Sequence, residues 1–409
     1  MLVKSGRLRE AAVPAPPFTS FKGKGLKIGV FTSNSKGSGL IPLQAGPGQF
    51  SDNTLYILLF YLPFLLFLFY GQRIQAYMIL GEVSRALGKL KVMRERSRKE
   101  VIDYLVNHLK PKSDPQEQVD QLLEYFTIMP VDLDPAGIVR KIEHVVTVRN
   151  DRIRSEIKNL ASESDMVKVS TAENILEAAS SINYIYKLVR HFYLLGKKTS
   201  NIYILIQLQM IMPIVLQEAD ALVNALEAFK QSQPIGDGIG PMVVGRMMLN
   251  LEKTEISRDT LLAKTEYKGR TLYLIKAAGP GGNVGEPGTA IEKLINEMGV
   301  KINAVIMIDA ALKLEGEKTG EIAEGVGAAI GGIGVDRFKI EEVATQHNIP
   351  LYAVVIKQSL VDAISVMRKE VAEAAEKVIK IVYRLIEEKT QPSDSVLIVG
   401  VGNTLGVAQ

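Results

Sequence analysis

Apolar positions change their spacing along this chain, and the changes divide it. Residues 54–70 read Thr-Leu-Tyr-Ile-Leu-Leu-Phe-Tyr-Leu-Pro-Phe-Leu-Leu-Phe-Leu-Phe-Tyr, without a charge. At about 17 residues this run is just long enough for a transmembrane helix, with Tyr56, Tyr61 and Tyr70 as interfacial anchors. The soluble alternative is a buried core helix. Residues 72–232 follow helical spacing instead, as in Leu80, Val83, Leu87, Leu90 and in Val101, Leu105, Leu109, with charges on the other faces. Breaks are expected at 111–115, 130–135 and 162–170. The apolar run at 202–216, interrupted by Gln207, Gln209 and Pro213, reads as the buried central helix of a bundle, with Met210 and Met212 filling core space.

From 233 onward short apolar runs alternate with helical stretches. Strands are expected at 271–278, 303–309, 351–357 and 395–401. Helices are expected at 239–252, 288–298, 338–347 and 360–389. Such alternation predicts parallel strands with crossover helices, a three-layer α/β domain with a mostly parallel sheet over 233–409. Its ligands collect beyond the carboxyl ends of the strands. Residues 1–50 mix Lys22, Lys24 and Lys27 with a Pro-Ala-Pro-Pro run and scattered Gly and Ser, and read as a disordered N-terminal tail. A start codon placed too far upstream would look the same. The apolar segment at 26–31 begins too late for a signal peptide, and no small-residue cleavage site follows it.

Composition narrows the function classes. The 409 residues carry 49 basic and 45 acidic side chains, a net charge of +4, too slight for a nucleic-acid footprint. Cysteine is absent, which excludes disulfides, thiolate metal sites and a cysteine nucleophile. His108, His144 and His191 stand isolated, with no partner at helical spacing. Arg73, Arg85, Lys89, Lys91, Arg94, Arg96, Arg98 and Lys99 crowd the C-terminal side of the apolar run, whereas Lys36 alone shortly precedes it. The positive-inside rule then gives a single-pass protein of the cell membrane, its partner the lipid bilayer and its C-terminal domain in the cytoplasm.

Candidate chemistry centres on Gly-Asp-Gly-Ile-Gly-Pro at 236–241. Glycines bracket Asp237 at a loop-to-helix junction, with a proline where the first helical turn begins. Asp237 there is either a chemical residue or a helix cap. Asp309 ends the expected strand Asn-Ala-Val-Ile-Met-Ile-Asp, where a side chain projects into the ligand crevice or caps the following turn. Two glycine loops flank the same rim, at 278–283 and at 325–334. Gly238, Gly281, Asn283 and Asn403 are the candidate substrate-binding positions, with Lys276 also on the rim. The last strand runs into Gly402-Asn403 with no helix after it, so a dinucleotide fingerprint fails. Gly316-Glu-Lys-Thr lacks phosphate-loop spacing, and Glu315, Glu317 and Glu321 read as a solvated charged hairpin.

A strand followed by Gly-x-Gly-Asn, a Gly-Asp-Gly-Ile-Gly-Pro loop opening a helix, and a strand ending Ile-Asp-Ala together resemble the phosphorylase/hydrolase-like fold of the hydrogenase maturation endopeptidases and the spore germination protease. The order differs, because in those families the Gly-Asn strand directly precedes the loop. A circular permutation restores the match and requires the C-terminus to lie beside Asp237. By layout the chain is also identified as a member of an archaeal membrane-protein family catalogued as domain of unknown function 1512. The protease resemblance implies that Asp237 and Asp309 take the places of the two catalytic acids. The maturation enzymes add a histidine and a metal, but His347, the one histidine within residues 233–409, sits at a helix end. The resemblance therefore implies a metal-independent pair with no cofactor. In such a pair one carboxyl holds a proton while the other activates water, which suits amide hydrolysis of a protein substrate. The alternative is a non-catalytic, membrane-tethered scaffold that keeps the fold and holds a peptide or small ligand.

Overall fold

The computed structural model describes residues 52–130, 137–161, 165–332 and 334–408, with only the backbone at 52–58 and 65–69. The tail expected at 1–50 lies outside the described residues. The first half is helical: α1 (Asp52–Tyr104) with a π-turn (Leu105–Leu109), α2 (Gln116–Leu123), α3 (Ile138–Leu160), α4 (Met166–Thr199) and α5 (Ile202–Lys230). Helix α1 carries the 54–70 run without a break, through Pro63. Asp165 caps α4 by accepting from the Val167 N–H, and Asn201 caps α5 by accepting from Tyr203 and Ile204, so each helix starts where a short polar side chain replaces the missing partner. Between them Ser200 adopts φ +53, and Gly196 lets the hairpin close, because a Cβ there would stand 2.5 Å from Leu205.

Helices α1, α4 and α5 bury one stripe each: Val83 and Leu90; Ile175 and Ile182; Leu205, Leu226 and Phe229. Full burial of such side chains is worth about 1.5–3 kcal/mol each. The expectation for α5 needs correction. Its 3.6-residue period turns Leu205, Leu208 and Met212 inward and Met210 outward, 73% exposed. The helix is thus one wall of the bundle, not its centre. Among the described residues it is the one helix long and apolar enough to cross a membrane, judged by length and composition only.

The second half holds α6 (Ile239–Met247), β1 (Lys253–Ser257), β2 (Thr260–Tyr267), β3 (Arg270–Ala277), α7 (Pro287–Glu292), β4 (Ala304–Leu312), β5 (Ile322–Val326), α8 (Val335–Gln346), β6 (Leu351–Gln358), α9 (Leu360–Ile364), α10 (Lys369–Lys389) and β7 (Ser395–Gly400). One seven-stranded sheet has the order β1-β2-β3-β7-β4-β6-β5. The four expected strands form its parallel centre, β3-β7-β4-β6. Strands β1, β2 and β5 were not expected from the sequence, and all three pair antiparallel, so the sheet is mixed. Antiparallel strands can leave one face to water, and Lys253 and Glu255 of β1 with Lys264 and Glu266 of β2 break the apolar runs that mark the parallel centre. Lys268 (φ +46) and Gly269 (φ +75) form the two-residue hairpin between β2 and β3.

Alternate residues of the central strands feed two apolar clusters. Leu272, Leu274, Ile306, Ile308, Val354, Val396 and Ile398 pack with α6 and α10, through Val243, Val371, Val378 and Val382. Ile275, Val305, Met307, Leu397 and Val399 pack with α7 and α8, through Ile291, Ile340 and Val343. Period-two alternation on central strands with apolar residues in both registers is what a sheet covered on both faces requires.

Candidate functional site

Asp237 sits in a 3-10 turn (Gly236–Gly238) that opens α6, at the carboxyl end of the parallel strands. The glycines around it are there for contact. A Cβ on Gly240 would stand 2.3 Å from the Val401 carbonyl oxygen and 2.4 Å from that of Ile308, so only glycine lets α6 seat against β7 and β4. Gly402 has φ +137, and any Cβ there would collide with the Asp237 carbonyl oxygen. Asp237 Oδ2 accepts from the Asn403 backbone N–H at 3.1 Å. The loop after β7 therefore lies beside Asp237, with Val407 also packed near Gly238; Gln409 itself lies outside the described residues.

Asp309 is displaced from its expected place. Strand β4 continues three residues past it to Leu312, because Asp309 to Leu312 keep pairing with Val355 to Gln358 of β6. Asp309 Oδ1 accepts from the next backbone N–H, that of Ala310, at 2.7 Å. Asp237 and Asp309 are each only 4% exposed, and β4 touches the 3-10 turn that carries Asp237.

The other rim candidates are drawn into a joint with α4. Asn403 Nδ2 donates to Asn174 Oδ1 (3.3 Å) and to the Gly282 carbonyl (3.1 Å), while Asn174 Nδ2 donates to the same carbonyl (3.1 Å). Ser170 Oγ donates to Asn283 Oδ1 at 3.0 Å, and a Cβ on Gly281 would press on Ser170 and Val167. Arg154 of α3 bridges Glu173 of α4 (2.8 Å) and Asp259 between β1 and β2 (2.9 Å). Helix α4 thus packs against the rim at residues 281–283 and 403. Lys276 is not an orienting group on that rim. It is 1% exposed, beneath α6, with Nζ donating to the Ala277 carbonyl at 3.1 Å. Burial, with Lys253 nearby, pulls its pKa down to about 8.

Two further expectations change. Glu317 and Glu321 pair with Lys357 (2.5 and 3.3 Å), and β6 separates β4 from β5, so their loop is a crossover and not a hairpin. His347 contacts Asn296 (2.8 Å) at the exposed end of α8. Among the described residues no three acids or histidines are grouped to hold a metal ion.

Sequence reasoning missed a cavity of about 170 Å³ beside the rim. Its walls are α3 (Glu143, Thr147, Asn150), the 284–289 segment, the first turn of α8 (Asp336, Lys339), and Val401 and Gly402. Gly331, Gly332 and Gly334 of the expected glycine loop line it, which was the one signal for it in the sequence. Neither Asp237 nor Asp309 is among its lining residues. Lys339 is paired with Glu143 at 2.6 Å. Burial raises the Asp336 and Glu286 carboxyls above their ordinary range; the Gly288 N–H donating to Asp336 at 2.9 Å works against it.

A helical module clasped onto the carboxyl rim of a mixed α/β domain, with acids and glycines at the joint, is the class of protein this describes. The chain belongs to the DUF1512 family: the N-terminal domain model of that protein of unknown function matches residues 57–232, and the C-terminal domain model matches 235–408. No curated protein matches the chain.

Proposed function

We propose that the protein is a membrane-anchored, cytoplasmic, peptidase-like hydrolase of the three-layer phosphorylase/hydrolase-like type, in which Asp237 and Asp309 form the acid pair. The observation that carries this reading is the convergence of three distant segments at one rim. The Gly236–Gly238 turn touches both β4 and the Gly402-Asn403 loop, with Asn403 bonded to Asp237. Counted from β7, as a circular permutation requires, β7, β3, β4, β5 and β6 stand in the order 2-1-3-5-4, with the fourth antiparallel. That arrangement puts the acids where open α/β sheets take their ligands. The membrane run in α1, the cytoplasmic placement and an archaeal setting belong to the same reading.

Cover by α4 defines how such a site would work. With both carboxyl groups 4% exposed, a substrate backbone reaches them only when the α4 joint opens. The second reading, a ligand-holding scaffold, is favoured by that same cover together with the separate cavity near Asp336. The two part in one experiment. In cells lacking the protein, complementation by wild type but by neither Asp237→Asn nor Asp309→Asn should restore a set of protein termini detected by mass spectrometry. Termini restored equally by all three would leave the scaffold reading standing.

A further inference from the structure

The helical bundle records its own height against a membrane. Lys230 pairs with Glu100 (2.9 Å) and Gln209 bonds Glu82 (2.6 Å), so α5 runs parallel to α1 in a fixed register. Helix α4 runs antiparallel to both, with Arg94 donating to Asn183 at 2.6 Å. Ile202 lies as far before Gln209 as Gln75 lies before Glu82, so the α4–α5 turn comes level with Gln75. Helix α1 from Asp52 to there extends beyond the hairpin, and its described side chains at 59–64, 70 and 72–75 are all exposed. At 1.5 Å per residue that projection is roughly 36 Å. A hydrocarbon core is about 30 Å thick and its headgroup layers add about 5–8 Å a side. If the 54–70 run fills the core, the turn falls at headgroup depth.

The chemistry at that level fits. Tyr203 is 77% exposed, Tyr77 75% and Met78 71%, an aromatic and apolar belt that water would oppose. Lys197, Lys198 and Arg73 are exposed at the same level. Juxtamembrane cations of this kind are drawn to anionic leaflets. We propose that the α4–α5 hairpin tip and the adjoining turn of α1 form a second, peripheral membrane contact seated in the headgroup layer of an anionic leaflet. It rests on the reading of 54–70 as the anchor. The contact fixes the height of the rigid bundle, and with it the distance of the covered rim from the bilayer.

The chain has no tryptophan, so a single substitution creates a unique fluorophore. The full chain is reconstituted into vesicles of phosphatidylcholine and phosphatidylglycerol carrying lipid brominated high on the acyl chain. Tyr203→Trp and Tyr77→Trp should be quenched at least half as strongly as Phe64→Trp in the anchor, and Val326→Trp, at an 84% exposed site on β5, should not be. Adding Lys197→Glu and Lys198→Glu to Tyr203→Trp should reduce its quenching in these vesicles and leave it unchanged in phosphatidylcholine alone. Quenching of Phe64→Trp with none at Tyr203→Trp or Tyr77→Trp would overturn the contact and keep the anchor. No quenching at any position would overturn both. A blue-shifted but unquenched Tyr203→Trp would mean that protein covers the tip, and a null effect of the lysine reversals would remove the anionic lipid.

Discussion

Replacing Lys276 by methionine should stabilise the protein at neutral pH and lose that advantage in alkali. The side chain is enclosed by β3 and α6 and has one hydrogen bond, to the Ala277 carbonyl, in place of an ion pair. Its pKa falls from 10.5 to about 8. A lowered lysine pKa means that the unfolded chain binds more protons than the native one between those two values. Stability therefore rises with pH across that window, and below it the native state bears the whole cost of the buried charge. A shift of this size corresponds to about 3 kcal/mol. Methionine matches the length and apolar character of the stem, so Lys276→Met should gain about 2–3 kcal/mol at pH 7. The assay is urea unfolding of the detergent-solubilised full chain, followed by far-ultraviolet circular dichroism from pH 7 to pH 10.5. The difference between variant and wild type cancels the tyrosines and lysines that titrate alongside. A difference that stays constant with pH, or a less stable variant at pH 7, would refute the account of Lys276 as an unpaired buried cation.

Gly402→Ala should cost several kcal/mol or abolish folding, because φ +137 and the Asp237 carbonyl both forbid a Cβ. Gly316→Ala, at φ +94 in open space, should cost only about 1 kcal/mol by the same denaturation midpoints. Asp336→Asn should raise stability at neutral pH, since burial raises this carboxyl and its ionisation opposes folding. The gain should vanish as pH falls below the ordinary aspartate range, where both states are protonated. Asn174→Ala removes buried bonds to Asn403 and Gly282 at about 1–3 kcal/mol, and hydrogen exchange at 402–406 should quicken while β4 stays protected.

The legible part of the fold was the part built from unbroken apolar runs. The four central strands announce themselves because both faces are buried, and α10 because Val371, Ala375, Val378, Val382 and Ile386 keep one face through 21 residues. The antiparallel strands β1, β2 and β5 carry Lys and Glu among their apolar residues and were lost among loops. Asp237 was singled out because glycines bracket a lone carboxylate, and Asp309 because a carboxylate ends an apolar run; both signals are local. That α4 would lie against the neighbouring loops was not local: it depends on Ser170 and Asn174 meeting Asn283 and Asn403, residues more than a hundred positions away. Of the cavity near Asp336 only the glycine loop at 331–334 was visible, since its other walls come from α3 and separate segments.

The claim that a covered acid pair does the chemistry is tested most directly by loosening the cover and removing the acids together. On whichever protein shows altered termini in deleted cells, the purified Asn174→Ala variant should cleave faster than wild type, and adding Asp309→Asn or Asp237→Asn should abolish cleavage. Cleavage that persists without either aspartate, or that is indifferent to Asn174, would contradict it.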